Sequence, residues 1–337
     1  MEGAAVFVDV HNHVIPQPVI DVVAAEEEAY GVRVADGRWQ GRLAFRLEEE
    51  FYDPAAKLRR LDKAGIDAAV VSVAPPAYFY DRPAALGLRA WEAANAGLAE
   101  FCRHAPARLR WLAHLPMQRP DEAVRIYREA VADGCSGAAI GTSIAGRLLD
   151  DEEFGRFWQV VEEQGLPVLM HPWLNEPHSA LNSFYLQNVI GNPLETTIVV
   201  ERLICAGVFE RHPGLRLVLM HGGGFLPYQA GRLCHARGVR PELADAPAPA
   251  QIWGAFGQLF FDTITHDAAA LRYLVERVGV DQVVLGTDLP FDMGLHSPVE
   301  TLRNALPEEV VTRVAGDNPC RLFGISPRSE VPRAEVV

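Results

Sequence analysis

Short apolar runs alternate with longer segments of helical spacing, and the alternation repeats eight times along the chain. The runs fall at residues 6–13, 68–73, 109–115, 137–140, 166–170, 215–220, 259–262 and 282–285. Their apolar character is nearly unbroken, which is how strands read when both faces are buried. Residues 54–64, 83–104, 120–132 and 151–164 carry helical periodicity between the runs, and helical stretches also precede the sixth and seventh. This order predicts an α/β protein, a single TIM-type (β/α)8 barrel spanning residues 1–326, with a small insertion at about 17–51 after the first strand. The insertion has mixed polarity and no strong period. Residues 327–337, with two prolines and several charges, are expected to form a loose tail. A doubly wound open sheet is the competing architecture, but no Gly-x-Gly-x-x-Gly follows the first strand and no Gly-x-x-x-x-Gly-Lys loop occurs.

Composition narrows the function. The chain has 337 residues, 49% of them hydrophobic, and a formal net charge of −13. Only Lys57 and Lys63 are lysines, so no dense basic face is available to follow a phosphate backbone, and nucleic acid is not an expected partner. The five cysteines, Cys102, Cys135, Cys205, Cys234 and Cys320, are odd in number and form no Cys-x-x-Cys pair, a pattern that suits reduced thiols in a cytoplasm. No apolar stretch approaches the ~20 residues needed to cross a bilayer, and no export signal is expected.

Candidate chemistry lies at the strand ends. Asp9, His11 and His13 sit at alternate positions of the first strand, so the two imidazoles share a face. His171 follows strand five, His221 follows strand six and Asp288 follows strand eight. In a barrel of parallel strands all carboxyl ends meet at one rim, where residues remote in sequence converge. Singly, each histidine is as readily a hydrogen-bonded packing residue as a ligand. Together, imidazoles plus a carboxylate form a ligand set for Zn²⁺, ahead of Mn²⁺ or Fe²⁺, and a coordination position left to water makes such a site catalytic.

Longer motifs surround these residues: Asp-Val-His-Asn-His-Val-Ile-Pro at 9–16, His-Pro-Trp at 171–173, His-Gly-Gly-Gly-Phe-Leu-Pro-Tyr-Gln-Ala-Gly-Arg at 221–232 and Leu-Gly-Thr-Asp-Leu-Pro-Phe-Asp-Met-Gly at 285–294. In these motifs the chain resembles the amidohydrolase superfamily, in the branch around 2-amino-3-carboxymuconate-6-semialdehyde decarboxylase. The resemblance implies one Zn²⁺ (or Mn²⁺) per chain held by His11, His13, His171 and Asp288. It implies His221 as general base or hydrogen-bond partner beside the metal, and Asp288 as proton donor to the substrate carbon. It also implies Arg46 as a binder of the substrate carboxylate, Arg232 as an arginine reaching into a neighbouring subunit's site, and Trp173 and Phe291 as pocket residues. No lysine stands at the end of strand four, Ile140-Gly141-Thr142, where many amidohydrolases place a carboxylated lysine between two metals, so a mononuclear site is expected.

The chain departs from that branch at Asn188, where the pattern has tryptophan, and across residues 17–43, which do not align. Serine-hydrolase chemistry is disfavoured, because Ser143 lacks the Gly-x-Ser-x-Gly spacing. The expected activity is a metal-dependent, non-oxidative decarboxylation of a small unsaturated or aromatic carboxylic acid by a cytoplasmic homodimer. The alternative is a metal-dependent hydrolase or hydratase acting on an amide, lactone or activated C=C bond. Arg46 read without the resemblance is a surface residue beside Glu48-Glu49-Glu50.

Overall fold

The first apolar run becomes β1 (Val8–Val14), and every one of its residues is buried. The structure is a computed structural model describing residues 5–173 and 179–326; the expected tail at 327–337 lies outside the described residues. Three short strands, β2 (Arg33–Ala35), β3 (Arg38–Gln40) and β4 (Ala44–Arg46), pair antiparallel in a separate sheet. The remaining strands are β5 (Ala68–Val73), β6 (Leu109–Trp111), β7 (Ala113–His114), β8 (Ala138–Gly141), β9 (Val168–His171), β10 (Leu217–Leu219), β11 (Leu259–Asp262) and β12 (Val283–Val284). The run at 109–115 is thus two strands split at Leu112, one joined to β5 and the other to β8.

Parallel pairing runs β1-β5-β6 and then from β7 through to β12. The Val10 N–H donates to the Leu285 carbonyl at 2.9 Å and the His13 N–H to that of Leu289 at 2.8 Å, so the last strand returns to the first and the barrel closes. Closure gathers the carboxyl ends of all strands at one rim.

The core has two shells. Val8, Val10, Val70, Leu112, Leu169, Val218 and Phe260 belong to an inner cluster that Leu322 and Phe323 complete. Val14, Val71, Val73, Met170 and Leu219 belong to a larger cluster packed with the helices. Successive strand residues point to opposite faces, so Val8 and Val10 in the inner cluster and Val14 in the outer one require a change of parity between them. The pairing of β1 with β5 shows that change as a register shift between Asp9 and Asn12. This bulge lets a strand that buries Val8 and Val10 inside the barrel also turn His11 and His13 towards its mouth.

The insertion is more ordered than its sequence suggests. It forms the helix Gln17–Ala25 and the three-stranded sheet, which brings Phe45 against Phe51 and Phe291 with ring centroids 5.3 and 5.2 Å apart. Strands of three residues are too short for an alternating pattern to stand out. The next helix, Pro54–Ala64, was legible because its ends carry local signals. Asp53 accepts the Ala55 N–H at 2.8 Å, Pro54 occupies the first turn, and Gly65 ends the helix at φ 74°.

Candidate metal centre

The rim brings His11, His13, His171 and Asp288 together, one donor atom from each lying within 4.8 Å of every other. His11 Nε2 is 3.0 Å from His13 Nε2, and Asp288 Oδ1 is 3.3 and 3.0 Å from these two nitrogens. His171 Nε2 is buried and has no hydrogen-bond partner among the described residues. The other nitrogen of each ring is occupied. His11 Nδ1 pairs with Asp262 Oδ2 at 2.7 Å, His171 Nδ1 donates to the Pro172 carbonyl at 2.8 Å, and His13 Nδ1 lies 3.4 Å from Ser72 Oγ. Such outer contacts fix each tautomer and aim the Nε2 lone pairs at one point. Three imidazole nitrogens and one carboxylate oxygen around a common point fit a single divalent cation.

Electrostatics favour the same use. Burial pulls the His13 imidazole down to about 4, and pulls His171 well below its ordinary range with neighbouring histidines adding to the effect. Both are therefore neutral, the form that coordinates a metal. Burial acts the same way on His11, but Asp288 and Asp262 outweigh it and hold the group up to about 10 in the metal-free protein. Burial disfavours the charged form of Asp288, yet His11, His13 and His221 hold its carboxyl well below the ordinary range.

Asp262 escaped the sequence reading. Its signal was a carboxylate ending a strand, Phe260-Phe261-Asp262, as Asp288 does one strand later. Besides His11 it accepts the backbone N–H groups of His221 at 3.0 Å, Gly222 at 2.7 Å and Ile264 at 3.1 Å. It thereby ties a histidine of the donor set to the turn that carries His221. That turn is left-handed, with φ 56° at His221 and 64° at Gly224, where a Cβ would lie 2.2 Å from the Pro193 carbonyl oxygen. His221 Nε2 stands 3.9 Å from Asp288 Oδ2, and its ring centroid is 5.1 Å from that of His171.

The centre opens into a cavity of about 660 Å³. His171, His221 and Asp288 lie along its wall with Trp173, Tyr185, Asn188 and Phe291. Phe291 stacks edge-on against His13 with centroids 5.4 Å apart. Arg38, Arg46 and Arg60 supply cations, with Glu48, Glu50 and Asp292 among them. The Arg46 side chain is 76% exposed and pairs with Glu48 at 3.1 Å, whereas that of Arg60, which the sequence did not mark, is 12% exposed. Arg232 is exposed on the helix Leu226–Val239 and does not line this cavity. A second, more apolar cavity of about 480 Å³ shares Asn188, His221 and Asp288 and extends to Tyr228 and Tyr273.

The family profile described as Amidohydrolase matches residues 8–325. The chain belongs to that family. Across 333 residues this amidohydrolase is 27% identical to 2-amino-3-carboxymuconate-6-semialdehyde decarboxylase of Dictyostelium discoideum, covering 95% of this chain and 92% of the relative. Among solved structures, 5-carboxyvanillate decarboxylase from Sphingomonas paucimobilis superposes with a TM-score of 0.83 at 24% identity, over 96% of this chain and 100% of that one. A dihydroxybenzoic acid decarboxylase from Polaromonas sp. JS666, solved with bound manganese and 2-nitroresorcinol, gives a TM-score of 0.78 at 22% identity, over 97% and 99% of the two chains. These two share the barrel fold with the amidohydrolase described here. All three relatives are decarboxylases by name.

Proposed function

We propose that the protein is a metal-dependent, non-oxidative decarboxylase of a small unsaturated or aromatic carboxylic acid, with one divalent ion per chain held by His11, His13, His171 and Asp288. The observation that carries this reading is the opening of that donor set into a cavity with both aromatic walls and guanidinium groups. Phe45, Phe51, Phe291 and Trp173 offer flat apolar surface to a planar substrate, and arginine forks suit carboxylate oxygens. When bound, the metal stabilises negative charge developing on the substrate as the carbon–carbon bond breaks. Arg46 and Arg60 hold the acid in the cavity. His221 Nε2, 3.9 Å from Asp288 Oδ2, passes a proton to that carboxylate, which delivers it to the carbon that CO₂ leaves. Three imidazoles with one carboxylate make Zn²⁺ the first choice, and the manganese named for the Polaromonas structure makes Mn²⁺ the alternative.

A homodimer is part of the proposal. Val189, Leu194, Ile198, Tyr228 and Tyr273 are all at least 40% exposed, and Arg232 follows Tyr228 by about one helical turn. Apolar side chains of that size beside a basic residue suit a two-fold contact in which Arg232 meets the partner's cavity. The five free thiols support a reducing, cytoplasmic setting.

The test is to incubate purified, metal-loaded protein with aminocarboxymuconate semialdehyde, hydroxybenzoates and simple lactones while following CO₂ and absorbance. Stoichiometric CO₂ release from one of the acids is expected. Turnover of a lactone without CO₂ from any acid would establish the hydrolase alternative instead.

A further inference from the structure

The helix Pro54–Ala64 buries Lys57 completely. A buried ammonium is costly unless paired, and an apolar residue of similar length would fill the space without that cost. The chain has only two lysines and keeps one of them here. Its contacts explain why. Nζ donates to Asn12 Oδ1 at 2.6 Å and to the His13 carbonyl at 2.9 Å. The Asn12 Nδ2 in turn donates to Asp9 Oδ2 at 2.8 Å. Asp9 also accepts the His11 N–H at 3.0 Å, the Thr287 N–H at 3.1 Å and the Thr287 hydroxyl at 2.5 Å.

Four donors on one carboxylate match its ionised form. Asp9 and Lys57 therefore bracket the Asn12 amide from opposite ends, its Nδ2 donating to the carboxylate and its Oδ1 accepting from Nζ. All of these contacts fall on the bulge of β1, between the valines that face the barrel interior and the histidines that face its mouth. A bulge leaves a backbone N–H without its ladder partner, and Asp9 takes up that of His11. None of Asp9, Asn12 and Lys57 lines the cavity, so none meets the substrate.

We infer that Lys57 is a positioning residue of the metal centre: through Asn12, Asp9 and the His13 carbonyl it locks the bulge that turns His11 and His13 inward as a preset pair. The inference rests on the metal site proposed above. Outer contacts of this kind set metal affinity without touching the ion, and removing one typically weakens binding about 10- to 100-fold.

The experiment compares wild type, Lys57→Met, Lys57→Arg and Leu61→Ala, the last a fully buried apolar position on the same helix. Zn²⁺ affinity is measured by chelator competition, ligand geometry by the visible spectrum of the Co²⁺-substituted protein, and folding by thermal midpoint. Lys57→Met is expected to bind Zn²⁺ about 10- to 100-fold more weakly with an altered Co²⁺ spectrum, and Lys57→Arg, which keeps charge and donors, to stay within about threefold of wild type. Leu61→Ala should lose stability while holding Zn²⁺ normally. If Lys57→Met does not fold, Asn12→Ala decides, with the same weakening expected. Wild-type affinity and spectrum in Lys57→Met, or in Asn12→Ala where that variant decides, overturns the inference, as does an equal loss of affinity in Leu61→Ala. A wild type that takes up no Zn²⁺ overturns the metal site itself, and the inference with it.

Discussion

One carboxylate oxygen of Asp262 lies 2.7 Å from His11 Nδ1 and 3.0 Å from the backbone nitrogen of His221. A single buried anion thus orients a member of the donor set and anchors the turn bearing the candidate general base. Asp262→Asn keeps the shape but removes the charge and presents an amide N–H where only acceptors fit. Metal affinity is expected to fall about 10- to 100-fold, and kcat at saturating metal to fall as well. Titration with metal during turnover separates the two effects, and a variant restored fully by excess metal would leave the His221 turn without a role for Asp262.

Removing the ligands themselves should leave the barrel standing. Its two apolar shells contribute about 1.5–3 kcal/mol for each fully buried Val, Leu, Ile or Phe, independently of any ion. His11→Ala/His13→Ala is expected to contain no stoichiometric metal by elemental analysis and to show no turnover, with an unchanged far-ultraviolet circular dichroism spectrum. Activity in this double variant would remove the proposed centre.

His221 is testable apart from the metal. His221→Ala should keep the ion yet lower kcat by about 10²-fold or more if Nε2 moves a proton in the reaction. A metal-replete variant with near-normal turnover would reduce His221 to a packing residue.

The pH dependence follows from His11. With Asp288 and Asp262 overcoming burial, its folded value of about 10 lies above the ordinary 6.5. In the metal-free protein this stabilisation is fully present below about pH 6.5 and is lost as the pH rises through about 10. The thermal midpoint of metal-free protein should therefore decline across that window while metal-loaded protein, in which the ion has displaced the proton, should not. Metal uptake at about pH 8 should release about one proton from His11, measurable in a pH-stat. Uptake without proton release contradicts the assignment.

The shared site predicts complementation. A His11→Ala chain and an Arg232→Ala chain are each expected to be inactive alone. After subunit exchange, mixed dimers contain one site with both defects and one with neither, so about a quarter of wild-type activity should return. Confirmed exchange with no recovery, or full activity in a dilute monomer, would show that Arg232 serves no neighbouring site.

How much of this was legible depended on the distance over which each feature is encoded. The helix Pro54–Ala64 was readable because Asp53, Pro54 and Gly65 act within one turn of its ends. The eight apolar runs were readable because parallel strands buried on both faces leave an unbroken signature. His11, His13, His171 and Asp288 stood out because each ends such a run. Asp262 ends a run as well and Lys57 lies in a helix, but what these two hold shows only through partners 251 and 45 residues away.

The histidine pair marks the boundary between the two kinds of information. A period of two puts His11 and His13 on one face of β1, and the sequence by itself determined that much. The same period puts Val8 and Val10 on the opposite face, so a regular strand with its valines inside the barrel would turn both histidines out towards the helices. Only the tertiary structure decided the matter, through the register shift between Asp9 and Asn12. The physical reason is that a bulge is held by long-range contacts: the Asp9 carboxylate on Thr287, across the closure of the barrel, and Lys57 Nζ on Asn12 and His13.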